Sequence, residues 1–149
     1  MREVRRSALV PYPPGEMYAL VNDIAGYPAF VPWVRSARVL ESAERSLTAT
    51  LEIARAGLSI TLTTRNTLVP GERIELALGD GPFAHFDGRW DFVPIADAAG
   101  IVQGCRIELR VRFEFRSRTL GLAAAPLFER TWDALVDAFV RRARELHGG

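Results

Sequence analysis

Cys105, Ile107, Leu109, Val111, Phe113 and Phe115 alternate without a break against Arg106, Glu108, Arg110, Arg112, Glu114 and Arg116. That pattern demands an extended strand with one face on a core and the other in water. Such a face needs an apolar partner, and residues 119–146 offer one. Phe128, Trp132, Leu135, Phe139, Ala143 and Leu146 recur at steps of three and four, which places them along one side of a long amphipathic helix. Glu129, Arg130, Asp133, Asp137, Arg141, Arg142 and Glu145 fall mostly on the other sides. Fully burying each large member of the stripe contributes roughly 1.5–3 kcal/mol, so the helix must lie against a large apolar surface.

The rest of the chain reads as the sheet that receives this helix. Residues 3–10 form a first strand, halted by Pro11, Pro13 and Pro14. Pro14 then opens a short helix, where its missing N–H costs nothing, with Met17, Leu20, Val21 and Ile24 as the buried stripe and Gly26 as its end. The stretch 27–33, Tyr-Pro-Ala-Phe-Val-Pro-Trp, holds too much proline for a long helix and too many rings for a solvated loop. It reads as a second short helix or turn docked at one end of the sheet. From Val34 onward the period becomes two, with strands expected at 35–43, around 47–53, from Leu58, from Arg73, around 86–92 and at 105–116. Ala56-Gly57, Pro70-Gly71 and Gly79-Asp80-Gly81-Pro82 supply turns. Gly88, central in a bulky inward row, suits a sharp bend or the close approach of another element.

The economical way to bury both apolar surfaces is an α+β helix-grip fold: a curved antiparallel sheet wrapped around the long C-terminal helix, with two short helices after the first strand. Residues 1–149 read as a single domain. No apolar run approaches the ~20 residues that span a bilayer, and the basic N-terminal hexapeptide has no signal-peptide core. The single cysteine, Cys105, excludes an intramolecular disulfide and fits a reducing cytoplasm. A net charge of +1 gives no global argument for DNA or for an anionic membrane. Every basic residue is arginine; lysine does not occur.

The runs Met17-Tyr18-Ala19-Leu20-Val21-Asn22-Asp23-Ile24 and Tyr27-Pro28-Ala29-Phe30-Val31-Pro32-Trp33 resemble the START-like branch that holds coenzyme-Q-binding proteins and RatA-type ribosome-association toxins. Ala56-Gly57, Thr63-Thr64-Arg65-Asn66, Asp80-Gly81-Pro82-Phe83, Gly88-Arg89-Trp90-Asp91-Phe92, Phe113-Glu114-Phe115 and Ala138-Phe139-Val140-Arg141-Arg142-Ala143 continue the likeness along nearly the whole chain. Trp33 looks more like the coenzyme-Q branch, and Asp80-Gly81-Pro82-Phe83 more like the RatA branch. The resemblance implies a helix-grip fold with an apolar cavity beneath the last helix. Three functions come with it: non-enzymatic binding of ubiquinone or another polyprenyl lipid in support of respiratory quinone function; a RatA-type toxin that binds the large ribosomal subunit and blocks subunit association; or an aromatic polyketide cyclase-like enzyme. A cytoplasmic protein with transient peripheral contact at the inner membrane is compatible with the first.

The candidate ligand-lining residues are Phe128, Trp132, Leu135 and Phe139 from the helix, facing Phe86, Trp90, Phe92, Leu109, Val111 and Phe113 from the sheet, with Trp33 at the docked turn. By periodicity the same side chains equally describe a closely packed core. Trp90 and Trp132 matter most, because an indole N–H in a dry interior wants a partner such as a quinone carbonyl. Catalysis has little support: His85 and Cys105 lack partners at recognisable spacing, and no metal-ligand cluster, phosphate loop or serine elbow is present. Pro126 either starts the last helix or hinges a bent apolar flap over the cavity mouth, where Leu122 could touch a bilayer. The outward row Arg106, Arg110, Arg112 and Arg116 reads as a solvated strand face or, alternatively, as a ribosome-facing surface.

Overall fold

The computed structural model describes residues 1–148. Strand β1 (Arg2–Val10) is followed by helix α1 (Pro14–Asn22) and a 3-10 helix (Ile24–Ala29). Six strands come next: β2 (Val34–Ala43), β3 (Ser46–Arg55), β4 (Leu58–Val69), β5 (Arg73–Asp80), β6 (Phe83–Ala96) and β7 (Val102–Phe115). Helix α2 (Arg118–His147) closes the chain. The strands form one curved antiparallel sheet in the order β1-β7-β6-β5-β4-β3-β2. Each strand from β2 to β7 is therefore hairpin-linked to the next, and β1 adds to the free edge of β7. The hairpin turns follow the sequence signals. Ala56 and Gly57 both take positive φ, 50° and 83°, between β3 and β4, the backbone sense that matches strand twist in a two-residue loop.

The inward row of β7 is buried from Cys105 to Phe115, as its alternation requires. Helix α2 lies on it. Phe128 is 0% exposed and sits 4.8 Å from the Phe113 ring and 5.2 Å from Phe83. About three turns further along the same stripe, Phe139 meets Tyr27 at 5.2 Å and Trp90 at 5.4 Å. The 3-10 helix thus caps the end of the sheet with its tyrosine. Ion pairs fasten α2 to the edge strand β1: Arg2 with Glu129 at 2.7 Å, and Arg6 with Asp137 at 2.7 Å. Gly88 proves to be a close approach: a Cβ there would stand 3.0 Å from Leu76 Cδ1 on β5.

Four local expectations are corrected. Helix α1 stops at Asn22 rather than Gly26; Ile24, although buried, belongs to the 3-10 helix, and a Cβ at Gly26 would strike the Asp23 carboxylate at 2.6 Å. Leu146 is 51% exposed because α2 has by then run past the core. Pro126 neither starts α2 nor separates a flap from it. The Ser117 hydroxyl accepts a hydrogen bond from the Leu120 N–H at 3.1 Å, so the cap sets the start eight residues before the proline at Arg118. The carbonyl that Pro126 leaves unbonded, that of Leu122, belongs to a residue 85% exposed, and water satisfies it at little cost. Among the described residues, no helix is long and apolar enough to cross a membrane.

Candidate functional site

Between α2 and the middle of the sheet lies an interior cavity of about 40 Å³. Trp132 and Leu135 reach it from α2, and Trp90 from β6. These are the predicted site residues that the structure brings to one space. The opposite wall comes from residues outside the predicted lining: Leu62, Thr64 and Asn66 of β4, Ile74 and Leu76 of β5, and Tyr27 of the 3-10 helix. Cavity size decides what the space holds in this conformation. A cavity of about 150 Å³ takes up a benzene ring, whereas drug-sized ligands occupy roughly 300–1,000 Å³. Forty cubic ångströms admits water and excludes an aromatic ring.

The polar atoms on this wall are unusual for a packed core. Asn66 is 4% exposed and its Oδ1 has no hydrogen-bond partner; Trp132 is 5% exposed and its Nε1–H has none either. Thr64 is buried beside them on the same inward row. Asn66 is flanked in register by Leu47 on β3 and Leu76 on β5, so its surroundings are otherwise apolar. Leaving a buried polar group unpaired costs roughly 1–3 kcal/mol, and native cores rarely keep two that open on one small space. One unpaired acceptor and one unpaired donor thus belong to residues that line the same cavity. Continuing the alternation Leu58, Ile60, Leu62 through to Thr64 and Asn66 would have found them.

The other predicted residues are placed differently. Phe86, Phe92, Leu109, Val111, Phe113, Phe128 and Phe139 are buried and pack against one another and the helix instead of lining the cavity. Trp33 stands apart, half-buried, with the Arg55 guanidinium 4.9 Å over its ring.

Groups able to carry proton chemistry are few inside. Burial pushes the Tyr27 phenol upward, reinforced by nearby Asp23, and its hydroxyl donates to the Val21 carbonyl. Burial likewise pushes the Cys105 thiol up to about 11, which keeps it protonated and inert. On the outer face His85 does have a carboxylate partner, contrary to the spacing argument. Residues two apart share a strand face, and His85 Nε2 lies 2.5 Å from Asp87 Oδ2. Partial burial raises the Asp87 carboxyl, but hydrogen bonds from Arg112 and His85 outweigh it and hold the group below the ordinary carboxylate range. No cluster of His, Cys, Asp and Glu able to hold a metal occurs among the described residues.

Comparison with known proteins adds four findings. A family model described as polyketide cyclase / dehydrase and lipid transport matches residues 10–140. The chain is 42% identical over 148 residues to the ribosome association toxin RatA of Vibrio cholerae, with 99% of each chain covered. It is 28% identical over 144 residues to the mitochondrial coenzyme Q-binding protein COQ10 of Drosophila melanogaster, covering 96% of this chain and 59% of that one. Among solved structures, the Zhui aromatase/cyclase of a Streptomyces species superposes with a TM-score of 0.78 at 20% identity, over 99% of this chain and 98% of that one. At that identity the likeness is one of fold.

Proposed function

The chain belongs to the polyketide cyclase / dehydrase and lipid-transport family, and from that premise we propose that it is a non-enzymatic ribosome-association protein that binds the large subunit and blocks subunit joining. The observation that carries this reading is the 42% identity, end to end, with a protein named for ribosome association. The interior supports it. Its titratable groups, Tyr27 and Cys105, are both held protonated by burial, and the cavity of about 40 Å³ has no room for a polyketide. The test is sucrose-gradient sedimentation of ribosomal subunits with the purified protein added before they are allowed to join. Joined ribosomes should fall and free subunits rise in proportion to added protein. An unchanged profile at saturating protein would remove the reading.

A second reading, binding of ubiquinone or another polyprenyl lipid, rests on one specific observation: the unpaired Asn66 Oδ1 and Trp132 Nε1–H on residues that line the cavity. The indole N–H suits a quinone carbonyl, and Asn66 suits a hydroxyl of the reduced ring. The coenzyme Q-binding relative favours the same ligand class. Entry of the ring requires α2 to lift from β4 and β5. Organic extraction of the purified protein followed by mass spectrometry tests it: a stoichiometric quinone lost on Trp132→Ala is expected, and an empty wild-type extract from cells rich in quinone counts against it.

A further inference from the structure

The face of the sheet turned away from α2 carries an arrangement that no single strand reveals. Arg110 on β7 is in register with Arg5 on β1 and with Arg89 on β6. Three arginines thus stand directly opposite one another on adjacent strands, a like-charge row that works against sheet stability. Their side chains are 69%, 48% and 48% exposed for Arg5, Arg89 and Arg110. The neighbouring carboxylates only partly neutralise the row. Glu3 is shared by Arg5 and Arg110, and Asp91 by Arg89 and Arg73. Arg110 and Arg89 each hydrogen-bond through Nε alone, which leaves their terminal Nη nitrogens without a protein hydrogen-bond partner. Those are the two nitrogens that suit a phosphate's oxygens.

The surface is shaped as well as charged. A groove of about 440 Å³ lies over Arg5, Ser7, Arg89 and Arg110, with Asp91 and Glu108 also on its wall, and a second of about 330 Å³ continues across Thr67, Ala77, Arg112 and Arg65, with Glu75 and Asp87 on its wall. Arg89 and Arg110 form the wall common to both. Arg65, at the far end, is exposed and makes no ion pair among the described residues. From β1 to β4 the track crosses five neighbouring strands, roughly 19 Å at the usual strand spacing. Small side chains, Ser7, Ala77 and Thr67, keep its floor low.

We propose that this outer face is a docking track for the phosphate backbone of folded RNA, with Arg5, Arg110 and Arg89 as its central contacts and Arg65 extending it. The proposal rests on the ribosome-association reading and names the surface and the chemistry of the partner. An all-arginine row spread over several strands fits a linear polyanion better than a single ion, and guanidinium suits phosphate in a way ammonium does not. No aromatic side chain lines either groove, so binding reads the backbone and not the bases. A bilayer fits less well, because the large exposed apolar side chains, Leu9, Ile101 and Leu122 among them, line neither groove.

The test compares wild type, the triple variant Arg5→Gln/Arg89→Gln/Arg110→Gln, and a control with the same charge change on the solvent side of α2, Arg130→Gln/Arg141→Gln/Arg144→Gln. Each is titrated against isolated large ribosomal subunits and, separately, against deproteinised large-subunit RNA, at several salt concentrations. The sheet variant should bind both at least about tenfold more weakly and lose about two from the slope of log K on log salt, since each phosphate contact contributes roughly 0.7–0.9. The control should bind as wild type does. Thermal melting of all three proteins separates lost contacts from lost fold, and removal of a like-charge row should leave the sheet variant's midpoint within a few degrees. Equal binding by the sheet variant and wild type overturns the proposal. So does wild-type binding to subunits that salt barely weakens, which would indicate a protein contact. If wild type ignores subunits but binds RNA through these arginines, the ribosome reading fails and the track stands. If it binds neither, both fall.

Discussion

Asn66→Leu should make this protein more stable and less able to hold a polar guest. The two side chains have the same heavy-atom count and branching, so the substitution mainly exchanges an amide for two methyl groups. At 4% exposure, the native amide has lost its water, and its Oδ1 regains no partner. The penalty so removed is roughly 1–3 kcal/mol. Against it stands imperfect fit, up to about 1.5 kcal/mol for a volume-conserving swap. The adjoining cavity of about 40 Å³ gives the new methyls room to settle between Leu47 and Leu76. A net gain of about 1–2 kcal/mol follows, or a rise of roughly 2–8 °C in melting midpoint for a chain of this length. Urea denaturation and calorimetry on wild type, Asn66→Leu, Trp132→Phe and the double variant form the experiment. Non-additivity in that cycle would report a water or ligand bridging the two groups. Destabilisation by more than about 1 kcal/mol on Asn66→Leu would refute the reasoning. It would mean that the amide is well satisfied by buried water and that the cavity is a structural hydration site.

Other consequences are simpler. Phe128→Ala removes a ring wholly enclosed by Phe83, Phe86, Phe113, Phe115 and Trp132, and should cost about 3–5 kcal/mol in urea unfolding. Gly104→Ala places a Cβ 2.3 Å from the Val10 carbonyl oxygen, so it should loosen the end of the β1–β7 pairing, visible as faster amide exchange at residues 8–10 with little change elsewhere. Cys105 should resist alkylation in the folded protein at neutral pH. Its folded thiol titrates near 11, above an unfolded value of about 8.5, so its contribution to stability is complete below the unfolded value and declines as pH rises toward the folded one. Cys105→Ala should flatten that alkaline limb. Asp87, held low by Arg112 and His85, contributes in the opposite sense: its stabilisation is present above the unfolded carboxylate range and is lost as pH falls through the folded value. Asp87→Asn should therefore flatten the acid limb, by a small amount because the group is partly exposed.

Most of the fold was legible because two periods, 2 and 3.6, were cleanly written into β7 and α2, and each required the other. Boundaries were less legible where a cap or packing contact decided them. Ser117 begins α2 ahead of a proline that local rules treat as a start or a break, and the Asp23 carboxylate crowds the site where Gly26 was expected to end α1. The site divided in the same way. Trp90, Trp132 and Leu135 were read as inward, and they are at the cavity; their aromatic neighbours were read as inward too, and they are core. Periodicity reports the face of a residue but not whether the atom across from it is close. Asn66 and Thr64 enter the sequence reading only within the family-like run at 63–66 and not as lining residues, because polar side chains at inward positions look like the end of a strand's buried row. Arg110 stands in the outward row legible along β7, but Arg5 and Arg89 are far from it in sequence, and only strand register puts the three side by side.

Register also divides the labour between the two faces of the sheet. Helix α2 is fastened to β1 by Arg2–Glu129 and by Arg6 with Asp133 and Asp137, and it packs on β7 through Phe128. Among the described residues no comparable ion pair joins it to β4 or β5, whose inward side chains form one wall of the cavity. The ion pairs that hold the helix therefore lie on the β1 side, away from the cavity wall of β4 and β5. The arginine track begins on that same β1, at Arg5, whose neighbour Arg6 points to the other face and holds the helix. The nine residues of β1 thus carry the helix's anchoring arginines on one face and the first arginine of the row on the other.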